Sequence, residues 1–206
     1  MAKKTSKNIT SAIMVKYMSK QVELLRGMSS KEVYRQVLLS QFIFILLAFG
    51  LSFFLFDSMT VWFELFTWNW INIVVFAILP AITVVLIDLI LFMIVPNQLD
   101  DGGINEIIFS NRTTWELVSL CAVVGVSEEV LFRGVIQTTF GLITASVIFA
   151  IIHVRYLNKP LLLISVVLLS FLLGYIYEVT QSLVYSMVAH FIIDVLLGFL
   201  IRFTSK

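Results

Sequence analysis

The sequence predicts an all-α fold: a polytopic membrane bundle of about six transmembrane helices with its N-terminus in the cytoplasm. Three observations predict it. The 206 residues are 60% hydrophobic, with a mean hydropathy of +1.01, where soluble domains sit near 45–50% apolar. Several apolar runs reach the ~20 residues that a spanning helix needs. The charge is lopsided: residues 1–36 carry eight of the fourteen Lys and Arg and only two acids, Glu23 and Glu32. That local balance of +6, against −5 in the remainder, places the leader in the cytoplasm by the positive-inside bias.

The runs follow in order. Residues 1–36 form a basic leader. Within it Met14, Met18, Val22 and Leu25 recur at helical spacing, which suits a short amphipathic helix on the cytoplasmic membrane surface. A plain solvated leader fits that stretch as well. The first span is 37–56. Residues 57–70 then hold Asp57, Glu64 and three tryptophans, Trp62, Trp68 and Trp70, as an outer loop and interfacial aromatic belt would. The second span, 71–95, contains Pro80 and Asp88. Asp88 has two readings, a partner for Arg133 or a residue facing a wet crevice. A polar loop over 96–114 turns at Gly102-Gly103. Four further spans are expected at 115–137, 142–156, 161–178 and 183–203. Their connections return Arg155, Lys159, Arg202 and Lys206 to the cytoplasmic side. This divides the chain into a leader (1–36), N-terminal membrane helices and loop (37–114) and a third part (115–206).

Other function classes are set aside on composition. The basic leader lacks the aromatic interleaving or motif of a nucleic-acid binder. The single cysteine, Cys121, admits no intramolecular disulfide and no Cys-x-x-Cys metal site, and reads as helix packing. The first apolar run lies too far in, and is too long, for a cleaved signal peptide.

The chemistry lies in the charges of the last four runs: Glu128, Glu129, Arg133, His153, His190 and Asp194, with Glu178 at an edge. A charge at the bilayer centre costs roughly 2.5–3.5 kcal/mol on insertion scales, so these residues mark a functional site facing the bundle interior. Glu129 and Arg133 share a helix face at i,i+4 and neutralise each other, a structural pairing. Glu128 projects elsewhere with no local partner, which suits a general base. Both histidines of the chain lie in apolar helices. His153 follows Phe149 by one turn, and His190 precedes Asp194 by one turn, so the carboxylate can orient the imidazole.

The ordered set E-E-x-x-x-R (Glu128, Glu129, Arg133), F-x-x-x-H (Phe149, His153) and H-x-x-x-D (His190, Asp194) resembles the CPBP family of intramembrane proteases, the CAAX-processing and bacteriocin-processing or Abi proteins. The resemblance covers about residues 115–206. It implies a helical membrane bundle with a cavity open to the cytosol and a glutamate-dependent protease without a cofactor. By it, Glu128 activates water with the help of His153. His190 and Asp194 stabilise the oxyanion, while Glu129, Arg133 and Phe149 support the motif. Position 194 is often Asn in the family; an Asp there accepts from His190 and leaves an imidazolium as the oxyanion donor. The expected partners are the lipid bilayer and a peptide or protein substrate at the membrane, with no nucleic acid. The expected location is a bacterial cell membrane. Three rivals stand beside this reading: a zinc-dependent protease built on the same residues, an immunity or signalling scaffold that acts by binding, and a proton- or ion-coupled transporter.

Overall fold

The computed structural model describes residues 23–25, 27–99, 101–153, 156 and 159–204. Most of the expected leader helix over 9–28 lies outside the described residues; 23–25 form a helical turn. Among the described residues there is no strand. Five helices are long and apolar enough to cross a membrane: α1 (Ser30–Leu55), α2 (Trp70–Ile94), α3 (Thr114–Ile152), α4 (Pro160–Thr180) and α5 (Leu183–Thr204). Their outer faces present large apolar side chains such as Phe54, Met93 and Trp115, the surface a bilayer solvates.

Helix starts come from polar caps rather than from the apolar runs. Ser29 and Glu32 form a capping box, so α1 begins seven residues before the apolar stretch starts at Val37. Thr113 and Glu116 do the same for α3. Each box satisfies donors that the first helical turn leaves open. The proline in α2 is accommodated upstream. Val74–Ile78 is wound as a π-helix, with the Leu79 N–H reaching back five residues to the Val74 carbonyl. That wider turn absorbs a residue that cannot donate. The loop after α2 turns at Gly102 and Gly103, both at positive φ, and carries two short helices, Pro96–Leu99 and Ile104–Phe109.

α3 departs most from expectation. A straight helix over 114–152 would measure about 58 Å, against a hydrocarbon core of about 30 Å. It is not straight. Gly141 has φ 83° and ψ 167°, a conformation open essentially to glycine alone. There the chain reverses. Phe132 and Phe149, seventeen places apart in sequence, bring their ring centroids to 5.0 Å, where a continuous helix would hold them about 26 Å apart. The third and fourth expected spans are therefore two limbs of one broken helix. The returning limb, 142–152, is about 16 Å of helix, about half the thickness of a hydrocarbon core.

The ends sort into two faces. Tyr34 near the start of α1 hydrogen-bonds Ser119 at 3.2 Å, Arg112 lies over the Tyr34 ring, and Arg202 near the end of α5 donates to Thr114 at 3.1 Å. These mark the leader end. At the far end the Leu183 N–H donates to the Leu65 carbonyl at 2.8 Å, and Trp62 donates to Ser52 at 3.2 Å while packing on Gly134. Trp68 and Trp70 stay exposed there as an edge-to-face pair, as a membrane-interface belt requires.

No side chain lies within 4 Å of where a Gly141 Cβ would sit, so a Gly141→Ala change isolates the backbone cost. It is expected to destabilise the protein by about 1–3 kcal/mol, read as a shift of the unfolding midpoint in detergent. Unchanged stability would show that the reversal does not depend on glycine.

Candidate active site

The site is assembled where the long limb of α3, its returning limb and α5 meet. Glu128 stands about 20 Å from either end of the 114–140 limb, near its middle. α5 crosses α3 closely because Gly125 has no side chain: a Cβ there would meet the Phe191 amide nitrogen at 3.2 Å. That approach sets His190 against the motif. Directly after Glu129 the backbone widens into a π-helix over Val130–Gln137, a winding that recurs at functional sites. All eight of its residues are buried.

Glu129 is the hub. Its Oε1 lies 3.2 Å from Arg133 Nη1 and accepts from His190 Nδ1–H at 3.0 Å. Glu129 and Arg133 are 0% and 1% exposed. Arg133 Nη2 also donates to the Ser170 carbonyl and hydroxyl of α4 at 2.8 and 3.1 Å, and its guanidinium stacks 4.8 Å from the Phe149 ring centroid. The sequence reading of Glu129 and Arg133 as a mutually neutralised pair is thus too narrow, because the same carboxylate oxygen holds His190. His190 is bridged on its other side, with Nε2 3.5 Å from Asp194 Oδ2. Glu128 is buried and lies within electrostatic reach of His190, Asp194, Glu129 and Arg133.

His153 reaches this group through Phe149. The two rings stack at 4.6 Å, and Phe149 stands 6.5 Å from His190. His153 Nδ1–H donates to the Phe149 carbonyl at 2.8 Å, which leaves Nε2 as the basic nitrogen of the neutral ring. The reversal at Gly141 is what returns His153 to about the depth of Glu128. The structure therefore gathers Glu128, Glu129, Arg133, Phe149 and His190 into one buried cluster, with the half-buried Asp194 against His190 and His153 at its edge. It does not bring Asp88 there: Arg133 is engaged by Glu129 and Ser170, and Asp88 lies half-buried on α2. Cys121 is a buried thiol. Among the described residues, no three His, Cys, Asp or Glu side chains are grouped as a metal ion would require.

Sequence reasoning missed three contributors. Ser170 has no signature of its own. Gln41 of α1 accepts from Ser127, the neighbour of Glu128, at 2.7 Å, a contact across 86 residues. Gln137 donates to the Gly174 carbonyl at 2.8 Å and to Glu178 at 3.0 Å. A signal existed for Gln137 alone, since Glu129, Arg133 and Gln137 recur at four-residue steps.

A family profile described as Type II CAAX prenyl endopeptidase Rce1-like matches residues 110–196. That span contains every motif residue named above. The chain is also 42% identical over 166 residues to the uncharacterized protein YpbD of Bacillus subtilis (strain 168), covering 80% of this chain and 88% of that one. The chain belongs to the Rce1-like CAAX protease family. This is the CPBP or Abi family that the motifs resemble, and it makes the chain an integral membrane protein of a protease family. No solved structure matches it.

Removing one partner of a buried charge pair strands the other at a cost of about 3–5 kcal/mol. Arg133→Met is expected to lose that much stability, and the double change Glu129→Gln with Arg133→Met to recover most of it, measured by unfolding in detergent. Equal losses in both variants would mean that Arg133 acts by packing on Phe149 and Ser170 rather than by neutralising Glu129.

Proposed function

We propose that this protein is an intramembrane endopeptidase that hydrolyses peptide bonds of membrane-associated peptides or proteins with water activated by Glu128. One observation carries the reading: Glu128 is a buried carboxylate beside a second carboxylate that is already committed to Arg133 and His190. Two adjacent acids in different surroundings take different roles. Glu129 holds the scaffold, and Glu128 keeps its oxygens for chemistry.

The steps follow from this geometry. Glu128 takes a proton from water as the oxygen attacks the peptide carbonyl carbon. His153, its tautomer fixed by the Phe149 carbonyl, helps hold that water through Nε2. The oxygen of the tetrahedral intermediate receives a hydrogen bond from His190, whose ring is oriented by Glu129 and Asp194. As the C–N bond breaks, the proton on Glu128 passes to the leaving amine. The chain's own residues supply the base, the proton shuttle and the oxyanion donor, with no metal or cofactor in the scheme. The basic residues at the leader end, among them Lys31, Arg35, Arg112 and Arg202, orient that end to the cytoplasm. The relative from Bacillus supports a bacterial cell membrane.

The test offers a mixed peptide library to purified wild type and Glu128→Gln in nanodiscs, with and without chelator, and reads cleavage by mass spectrometry. Loss of a positioned base is expected to lower kcat by a factor on the order of 10²–10⁴, with chelator inert. Asp194→Asn is expected to stay active. Asp194→Ala is expected to lose up to about 10²-fold, as a disturbed oxyanion donor would. Activity abolished by chelator and restored by zinc would transfer the site to a metal. A cellular phenotype that survives Glu128→Gln would favour a scaffold acting by binding.

A further inference from the structure

The returning limb of α3 stops at Ile152. His153 has φ −84° and ψ 38°, outside the helical region, and beyond it the chain is held by single turns. The Tyr156 N–H donates to the His153 carbonyl at 3.0 Å, and the Lys159 N–H to the Tyr156 carbonyl at 2.9 Å. Both bonds span three residues. Such a turn brings the side chains at i and i+3 into line, about 6 Å apart along its axis. His153 and Tyr156 obey this: their rings are nearly parallel, with 13° between planes and 6.2 Å between centroids.

Phe149 reaches the same imidazole from the other direction. It stands one α-helical turn before His153, with 29° between planes and 4.6 Å between centroids. One ring precedes the imidazole along the chain and one follows it, so the two cover its opposite faces. Both distances fall within the range of about 4.5–7 Å that offset aromatic pairs adopt. The two outer rings are themselves held. Phe149 is packed by Phe132 and by the Arg133 guanidinium, and Tyr156 is 5% exposed. The hydrogen bond from His153 Nδ1–H to the Phe149 carbonyl sets the tautomer but lets the ring rock about that bond. Flanking rings on both faces remove the rocking. A histidine at a helix end has no following helical turn to support its ring, and Tyr156 stands in for that turn.

We infer that Tyr156 is a positioning residue for His153: with Phe149 it forms an aromatic clamp that fixes the plane of the imidazole toward the attacking water. The clamp stands on the ring geometry alone. Its consequence for catalysis rests on the hydrolytic reading, in which His153 helps hold the water that Glu128 activates. A water held by the edge of a ring moves when that ring rocks, and a displacement of about 1 Å at a reacting centre can cost about 10²-fold in rate. In this scheme Tyr156 acts only through His153.

The test compares Tyr156→Leu, which removes the ring but keeps apolar bulk, with Tyr156→Phe, which keeps the ring. The full-length protein is labelled at its histidines and read by NMR in detergent micelles. The chain has two histidines, so a His153→Gln sample assigns the signals. The His190 signals, set by Glu129 and Asp194, are the control that the bundle is folded. Ring currents from flanking aromatics move the carbon-bound imidazole protons upfield. Tyr156→Leu is expected to move those of His153 downfield and to mix its two tautomers, with the His190 signals in place. Tyr156→Phe is expected to keep the wild-type pattern. Unchanged His153 signals in Tyr156→Leu overturn the clamp, and so does an equal change in Tyr156→Phe, which would assign the effect to the hydroxyl. On a peptide that the wild type cleaves, Tyr156→Leu is expected to lower kcat by a factor on the order of 10–10² with KM unchanged, and Tyr156→Phe to restore it. Shifted His153 signals with unchanged kcat overturn the positioning role. The ring signals need no proteolysis, so they read the clamp even where the hydrolytic reading of Glu128 fails.

Discussion

Everything around the buried polar cluster depends on one carboxylate oxygen. Glu129 Oε1 is shared by Arg133 on its own helix and His190 on α5. A charge buried at mid-bilayer is tolerated only with partners, and here the partners come from two helices. The requirement to neutralise Glu129 therefore fixes the register of α5 on α3. Gly125, which lets the two backbones approach, makes that register reachable. Once His190 is held at Nδ1, its Nε2 can point only toward Asp194 and the site. Arg133 carries the constraint on to α4 through Ser170. Three helices are thus locked by a single buried anion, and the adjacent Glu128 inherits a rigid setting without contributing to it.

The second constraint is backbone geometry. Two departures from α-helical winding flank the motif, the π segment directly after Glu129 and the reversal at Gly141. The π turn is wider, so the Arg133 and Gln137 side chains stay on one face toward α4. The reversal returns Phe149 and His153 against residues that preceded them on the same helix. Phe149 then serves as a spacer with a ring on every side: Phe132 and His153 packed against it, His190 at its edge, and the Arg133 cation over it.

Those departures mark the limit of what the sequence makes legible. The ionisable residues could be found because lipid penalises charge: Glu128, Glu129, Arg133, His153, His190 and Asp194 in apolar helices needed a common reason, and the structure gathers five of them with His153 at the edge, while Glu178 stays exposed elsewhere. The reversal was legible only as a boundary, since the third and fourth expected spans part between 137 and 142, where Gly141 turns the chain. Only Thr138, Thr139, Phe140 and Gly141 separate the two runs, which marks a boundary without telling a loop from a turn inside one broken helix. The start of α1 was misplaced for a different reason. Capping boxes extend a helix beyond its apolar run, and the apolar run was the only boundary in use. Asp88 stayed ambiguous because its distance from Arg133 is purely tertiary, and Gln41 was invisible because its partner Ser127 lies 86 residues away. The expected leader helix falls outside the described residues and is neither supported nor opposed.

These features together account for the concentration of polarity on one side of α3. Unpaired polar groups facing lipid would destabilise the bundle, so the polar side chains of this limb turn inward. A polar column of Arg133, Gln137 and Ser146 obeys this, with Arg133 and Gln137 bonded to α4. It is enclosed by α4 and the returning limb of α3, which shield it from lipid, and it retains acceptors and donors that protein atoms leave unused. The broken helix supplies Ser146 as well as His153, so the reversal at Gly141 serves the polar column and the catalytic cluster at once. An unbroken α3 would lose both.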